Sequence, residues 1–245
     1  HATASLASAL DLLVEREGLG PRRHVALTEA EFPTVAHVWK AREARGTRLR
    51  WIPVEDGRVR AEAVEAALDE RVLLLSATHA YYQTGALLDL EPAVEACREA
   101  GALLYVDAYQ SLGTVPLDVK TLGVDALASG NLKFLMGTPG IAFLYVARDV
   151  AERLEPAVTG WFGRREPFAF DPRTLDWAPA ARRFDSGTPP VLPAYVARAG
   201  MELILEVGVD EIRAWTVELS RRLVEGGRER GLEILPPADP TLRAP

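Results

Sequence analysis

The feature of this sequence that most constrains its fold is the alternation of short apolar runs with segments of helical periodicity. Several runs are almost continuously apolar, as expected of strands in a parallel sheet that is covered on both faces. Strands are predicted at His24–Thr28, Leu49–Val54, Val72–Ala77, Leu103–Asp107, Ala126–Ser129 and Ile141–Val146. Helices are predicted at Leu6–Arg16, Thr34–Arg45, Ala61–Asp69 and Leu90–Ala100. This order predicts an α/β fold whose mostly parallel sheet is sandwiched by helices.

The pattern changes after Val146. Residues 147–190 are irregular and rich in Pro, Arg and aromatic residues, and two long helices are predicted after them, near 191–206 and 209–230. We expect a large α/β domain over 1–206 and, over 207–245, a helix and the start of a truncated small C-terminal domain. Because the chain starts without methionine, we expect it to be a piece of a longer polypeptide, and any arginine that binds a substrate carboxylate is expected outside it.

Charge and cysteine content argue against several classes of function. The formal net charge of −7 argues against broad binding of nucleic acid or anionic membranes. No apolar run is long enough to span a bilayer, and the start has no signal-peptide layout. A single cysteine, Cys97, excludes an internal disulfide and favours a reducing cytoplasm. The four histidines, His1, His24, His37 and His79, lack metal-ligand spacing, so no metal is predicted.

Polar residues follow the predicted strands at the points where these strands end. Asp107 closes one strand, Lys133 follows another, and His79 and the segment 31–34 follow two more. In an open α/β sheet, ligands bind beyond the carboxyl ends of the strands. We therefore expect these residues to meet at one edge of the sheet.

Asp107 and Lys133 have the chemistry that one particular cofactor requires. A carboxylate at the end of a buried strand is a helix N-cap or salt-bridge partner in one interpretation, and the partner of a buried cation in the other. A protonated pyridine nitrogen is such a cation, and a desolvated lysine amine can form a Schiff base with an aldehyde. Pyridoxal 5′-phosphate (PLP) needs both groups. Its phosphate would find an anion site at Ala2-Thr3-Ala4-Ser5, before the first predicted helix, although Thr3 or Ser5 could equally be an ordinary N-cap.

Five stretches give the sequence a family resemblance: "EFPT", "THAYYQTGALLDL", "DAYQSLGTVPLDV", "LKFLMGTPG" and "GWFG". In this order they resemble the fold-type I PLP enzymes of the class V aminotransferase group, and within that group the kynureninase-like members. The resemblance extends from residue 1 to about residue 205. It implies that 1–206 is the PLP-binding large domain, of the aspartate aminotransferase-like type.

The resemblance also implies individual roles. Lys133 is the Schiff-base lysine, Asp107 pairs with the pyridine nitrogen, and Phe32 stacks on the ring face. The further cofactor-binding residues that it implies are Gln110 near the phenolic oxygen, Ala2, Thr3 and Asn131 at the phosphate, and Trp161 and Thr188, which reach the cofactor of the neighbouring subunit. A homodimer is therefore expected. In the alternative interpretation, Trp161 is an aromatic residue of the core.

The resemblance leaves the reaction open. Kynureninases usually have histidine at the position of Gln110, tyrosine at that of Leu132 and asparagine near that of Tyr81, whereas cysteine desulfurases have histidine before the lysine. His79 and Tyr81 are candidate substrate contacts, although a structural role for His79 is an equal alternative. Cys97 is expected in the core, which argues against a role as the nucleophile of a desulfurase.

The sequence therefore predicts a PLP-dependent, aminotransferase-like enzyme that acts on an amino acid. The alternatives are a kynureninase-type hydrolase, a cysteine desulfurase-type lyase, and an α/β module without catalytic activity. The amino acid itself, and the choice between transamination and side-chain cleavage, stay open.

Overall fold

The computed structural model describes residues 2–18, 20–235, 237 and 239–245, and His1 lies outside these residues. Six strands form one sheet: β1 (His24–Thr28), β2 (Arg48–Ile52), β3 (Val72–Thr78), β4 (Leu103–Asp107), β5 (Ala126–Gly130) and β6 (Ala142–Val146). The spatial order is β2-β1-β3-β4-β5-β6, and all neighbours are parallel except β5 and β6, which are antiparallel. The predicted fold class, a mostly parallel α/β sheet, is confirmed.

Eight α-helices are present in the described ranges, and each of them is too short or too polar to traverse a lipid bilayer. They are α1 (Ala2–Arg16), α2 (Pro33–Arg42), α3 (Ala61–Ala67), α4 (Leu90–Ala100), α5 (Val119–Leu122), α6 (Arg148–Arg153), α7 (Val191–Val207) and α8 (Val209–Glu229). Short 3-10 turns connect several of them, among them Trp161–Gly163 and Ala180–Phe184.

The helices cover the sheet on both faces. One apolar core contains residues of α1 and α2 with one face of the strands, and it includes Leu10, Trp39 and Tyr105. A second core contains residues of α3 and α4 with the other face, and it includes Val64 and Val94. Since both faces are buried, the central strands are almost continuously apolar, which is the pattern that predicted them.

Some boundaries differ from the prediction. Helix α1 begins at Ala2 rather than Leu6, because alanine has high helix propensity and Ser5 is already buried against the protein. The helix predicted to reach Arg45 changes to a 3-10 turn at Glu43. The pattern did not predict the short helices α5 and α6. The antiparallel direction of β6 was also not predicted; its connection to β5, residues 131–141, is too short for a parallel crossover.

Candidate active site

A cavity of about 370 Å³ lies at the carboxyl edge of the sheet, beyond the ends of β3, β4 and β5. Parallel strands end on the same side of a sheet, so Thr78 on β3 and Asp107 on β4 are paired in register at this edge. The predicted site residues that line the cavity are Ala2, Thr3, Phe32, Asp107, Gln110 and Lys133. The sheet topology thus brings together six residues that are far apart in the sequence.

Lys133 lies in the loop that connects β5 to β6 and is half-buried. Its Nζ is 5.1 Å from the centroid of the Tyr109 ring and 5.8 Å from that of Phe32. Two aromatic rings attract an ammonium group through their negative faces. Lys133 lines the cavity, and among the described residues no carboxylate forms an ion pair with its amine.

Asp107 is the last residue of β4, and its carboxyl group is buried. Its Oδ1 accepts a hydrogen bond from the backbone N–H of Tyr109 at 2.9 Å. Burial raises the pKa of Asp107 above its ordinary value, while the Tyr109 N–H and the charge of Lys133 act to lower it. A buried carboxylate with one hydrogen bond and no ion pair in the described structure is costly, so this group is suited to a cationic ligand.

Aromatic side chains form the wall of the cavity near Lys133. The Phe32 ring packs edge-to-face against Tyr82, with ring centroids 5.2 Å apart. The Tyr109 ring lies directly over Gly130, where an added Cβ would be 2.2 Å from Tyr109 Cε2. Only glycine at position 130 leaves room for this ring, and that is why β5 ends in glycine.

The amino end of α1 borders the cavity through Ala2 and Thr3. The first backbone N–H groups of a helix have no partner within the helix and carry partial positive charge, so they attract anions. Thr3 Oγ1 shares a hydrogen bond of 2.7 Å with Tyr105 Oη, which fixes the first turn of α1 to β4. This end of the cavity is suited to a phosphate group.

Asn131 is fully buried beside this site but does not line the cavity. Its backbone carbonyl accepts a hydrogen bond from Gly137 N at 2.7 Å. Neither side-chain amide atom has a hydrogen-bond partner among the described residues. Since a buried amide without partners is costly, it is suited to contact a polar ligand.

Besides Asn131, four predicted residues lie outside the cavity: His79, Tyr81, Trp161 and Thr188. His79 is buried and its Nδ1 shares a hydrogen bond of 2.8 Å with Ser111 Oγ. Burial, with the charge of Arg213 adding to it, lowers the pKa of His79 to about 4, so the ring is neutral. Tyr81 is buried, whereas Trp161 and Thr188 are exposed. A role for His79 and Tyr81 in substrate binding stays a prediction.

Several cavity residues were missed from the sequence. Tyr109 and Tyr82 belong to motifs that were used, but only their neighbours were assigned roles. Thr78 lies two residues before Ala80, and both line the cavity while His79 between them points away, as expected from the alternation of side chains along a strand. This alternation was the signal that could have favoured Thr78 over His79.

The fold and the cavity together define an α/β protein with a lysine and a buried carboxyl group in one cavity at the carboxyl edge of its sheet. The chain belongs to the family Aminotransferase class-V, which matches residues 1–233. The family predicted from the sequence is thereby confirmed, as is pyridoxal 5′-phosphate as its cofactor.

Individual relatives agree with this assignment. YcbU of Bacillus subtilis (strain 168), described as an uncharacterized aminotransferase, is 38% identical over 213 residues, which are 87% of this chain and 56% of that protein. A kynureninase of Burkholderia pseudomallei (strain K96243) is 29% identical over 206 residues, which are 83% of this chain and 49% of that protein. The chain thus spans about half the length of these curated relatives.

Solved structures show the same fold. The apo structure of a cysteine desulfurase from Thermococcus onnurineus NA1 has a TM-score of 0.81 at 23% identity and covers 97% of this chain and 60% of that one. A complex of the cystine C–S lyase C-DES with cysteine persulfide has a TM-score of 0.73 at 25% identity and covers 84% of this chain and 56% of that one.

The residues of this chain fit the cofactor. PLP carries an aldehyde, a basic ring nitrogen and a phosphate, and the cavity offers an amine at Lys133, a buried carboxylate at Asp107 and a helix N-terminus at Thr3. The structural observations that support this fit are the buried Asp107 carboxyl group, which has one backbone hydrogen bond and no ion pair among the described residues, and the buried Asn131 amide, which has no hydrogen-bond partner there.

Proposed function

We propose that this chain forms the cofactor-binding part of a PLP-dependent enzyme that transfers the amino group of an amino acid. The observation that carries the proposal is that the amine of Lys133 and the buried carboxylate of Asp107 line one cavity, whose far end is the amino terminus of α1. In a structural salt bridge the two charges would neutralise each other. Lys133 and Asp107 do not form such an ion pair.

Three groups of residues would hold the cofactor. Thr3 and the free N–H groups of the first turn of α1 bind the phosphate, with the amide of Asn131 near them. Phe32 and Gln110 line the cavity, where Phe32 would pack against the ring face and Gln110 would contact the phenolic oxygen. Lys133 attaches to the aldehyde.

Two side chains, those of Asp107 and Lys133, hold or move the protons of the proposed reaction. PLP, when bound, supplies an electron sink for the charge that develops at the Cα of the amino acid. The Asp107 carboxylate keeps the ring nitrogen protonated, and burial strengthens their attraction. Lys133 Nζ, which lies in the cavity near two aromatic rings, would remove the proton from Cα and return it.

Attachment at Lys133 can be tested directly. The sequence contains three lysines, Lys40, Lys120 and Lys133, and the first two are exposed. Borohydride reduction of the yellow full-length protein, followed by peptide mapping, should leave the cofactor on Lys133. A label on Lys40 or Lys120, or no label, would contradict the proposal.

A kynureninase-type hydrolase is the second candidate, because kynureninases are 29% identical to this chain. The replacement of tyrosine by Leu132 before the lysine, and of histidine by Gln110, makes transamination the better candidate. A desulfurase is less supported, since Cys97 is buried and burial raises the pKa of its thiol to about 12. Incubation with an amino-acid panel and an acceptor oxo acid should produce new amino acid, whereas release of anthranilate from kynurenine would favour the hydrolase.

We also propose a homodimer in which Trp161 and Thr188 complete the site of the partner subunit. In support, Trp161 belongs to an exposed aromatic cluster, with its ring centroid 5.7 Å from that of Phe170 and 5.8 Å from that of Phe168. Phe168 and Phe170 are 68% and 70% exposed, and aromatic residues are enriched at interfaces. Sedimentation should give a dimer; a monomer with full cofactor occupancy would refute this.

The boundary between domains is proposed at 206/207, with a small C-terminal domain beginning in 207–245. This position coincides with the junction of α7 and α8 at Gly208, whose φ of 89° ends the first helix. Limited proteolysis of the full-length protein tests the boundary by cleavage near this junction. We further propose a cytoplasmic location, which the single free cysteine supports.

A further inference from the structure

Glu31 is a buried carboxyl group beside the cofactor cavity to which the proposed function gives no role. It directly precedes Phe32, and only 6% of its surface is exposed. Its Oε2 accepts a hydrogen bond from Thr78 Oγ1 at 2.7 Å. Its Oε1 has no hydrogen-bond partner among the described residues, and no described cationic side chain forms an ion pair with it.

This environment favours the neutral acid. An isolated carboxylate is costly to bury, and Asp107 is a second carboxyl group close enough to repel it. Burial, and then the charge of Asp107, raise the pKa of Glu31 to about 8, against the opposing effect of the Thr78 hydrogen bond. The other titratable groups that face Glu31, Tyr81 and Tyr105, have pKa values that burial raises above their ordinary value, so they stay neutral.

Thr78 connects Glu31 to the site. It lines the cavity and is paired in register with Asp107 across β3 and β4. Side chains that are paired in this way stand on the same face of adjacent strands and are neighbours there. A threonine hydroxyl has one proton to donate, and here Glu31 accepts it. Asp107 therefore receives no hydrogen bond from Thr78.

We propose that Glu31 is a positioning residue for Asp107: its Oε2 holds the Thr78 hydroxyl away from Asp107, which keeps a carboxylate oxygen of Asp107 free for the ring nitrogen of the cofactor. This inference rests on the proposed function. A hydroxyl that donated to Asp107 would share its negative charge and weaken its bond to the protonated ring.

Three variants of the full-length protein test the inference. Glu31→Leu removes the acceptor at similar volume, so Thr78 can donate to Asp107. Glu31→Gln keeps a carbonyl acceptor for Thr78. Glu31→Leu combined with Thr78→Val removes the competing hydroxyl itself. Glu29→Gln, an exposed acid in the same turn, is the matched control.

The readout is the ¹⁵N chemical shift of ring-labelled PLP bound at pH 7. We expect Glu31→Leu to move the shift toward that of unprotonated pyridine and to raise the Kd of the cofactor about tenfold. Glu31→Gln should give the wild-type signal, and the Leu/Val double variant should return toward it. Thermal unfolding checks that each variant is folded.

Two results would overturn the inference. The first is an unchanged ring-nitrogen chemical shift in Glu31→Leu. The second is a ring-nitrogen chemical shift in the Leu/Val double variant that differs from wild type as much as that of the single variant does, because a merely structural role gives additive effects. If the wild-type protein binds no PLP, the proposed function fails instead, so the two failures are distinguishable.

Discussion

The two edges of the sheet differ in how far their polar and charged groups are satisfied by hydrogen bonds. At the amino edge, Arg22 donates hydrogen bonds to the backbone carbonyls of Val72, Ala100 and Gly101, at distances of 3.2, 3.0 and 2.7 Å. Asp125, just before β5, accepts a hydrogen bond from Leu104 N at 2.7 Å. These charges connect neighbouring strands and serve stability.

At the carboxyl edge the buried polar groups are incompletely satisfied. Asp107 accepts one backbone hydrogen bond, Glu31 Oε1 has no partner in the described structure, and the side chain of Asn131 is buried without one. Each of these groups costs stability in the absence of a ligand. The difference teaches that, in one sheet, the edge whose polar groups are poorly satisfied is the edge at which we propose that the ligand binds.

The sharpest test of this comparison exchanges one aspartate at each edge. Asp107→Asn removes the anion that holds the ring proton, and we expect about a 10²- to 10³-fold loss of turnover. The same variant should leave the stability of the cofactor-free protein equal or higher, because a buried charge is removed. Asp125→Asn should instead lower the free energy of unfolding and leave turnover unchanged. Kinetics and urea unfolding of both variants measure this; loss of stability without loss of turnover in Asp107→Asn would reverse the assignment.

The second prediction concerns the pH dependence of stability. Glu31 keeps its proton in the folded protein up to about pH 8, whereas the ordinary pKa is 4.5. Between these values only the folded state holds the proton, so the free energy of unfolding falls as pH rises, by at most about 1.4 kcal/mol per pH unit.

Glu31→Gln should remove this contribution. Urea unfolding of the cofactor-free protein between pH 5.5 and pH 7.5 (a window chosen inside the roughly 4.5 to 8 interval of this linkage) should show a flatter profile for the variant. Glu29→Gln serves as control. Parallel profiles for Glu31→Gln and the wild type would mean that Glu31 is ionised in the folded state.

The amino edge gives the third prediction. Arg22→Met keeps the apolar stem but leaves three backbone carbonyls without their donor, and we expect a loss of about 2 kcal/mol in the free energy of unfolding. The affinity for PLP should not change. Arg23→Met, which removes one exposed hydrogen bond to Gly20 O, is the control. Weaker binding of PLP with an unchanged free energy of unfolding would contradict the comparison.

The smallest effect is expected from Gly130→Ala. The added Cβ would displace the Tyr109 ring, which is the far end of a flexible side chain, so stability should change little. Lys133 would lose one of its two aromatic neighbours, and we expect the Kd of PLP to rise about fivefold. Gly20→Ala, where nothing lies within 4 Å of the added Cβ, should have no effect. An unchanged affinity in Gly130→Ala would show that Tyr109 is dispensable.

Local sequence patterns were sufficient to predict the features that depend on neighbouring residues in the chain, such as strand bounds and the residues at strand ends. The bounds of β1 and β4 match the predicted runs, since these strands are buried on both faces and every residue is apolar or at a strand end. Asp107 and Lys133 could be predicted because each follows a strand, and a parallel sheet brings strand ends to one edge.

Contacts between distant residues could not be predicted in this way. The hydrogen bond from Thr78 to Glu31 joins residues on separate crossover units, and the fit of Tyr109 over Gly130 depends on the register of β4 and β5. In the sequence, Glu31 is an ordinary charged residue in a turn. Only its burial distinguishes it from exposed Glu29.

The antiparallel return of β6 has a consequence for the order of folding. Loop-closure entropy and contact order both favour the early pairing of β5 with β6. These strands are joined by residues 131–141 and need no helix between them. This hairpin is therefore expected to form early. Lys133 lies inside its loop, so we expect local pairing to hold its amine near its final position before the long crossovers of the parallel strands assemble the rest of the cavity.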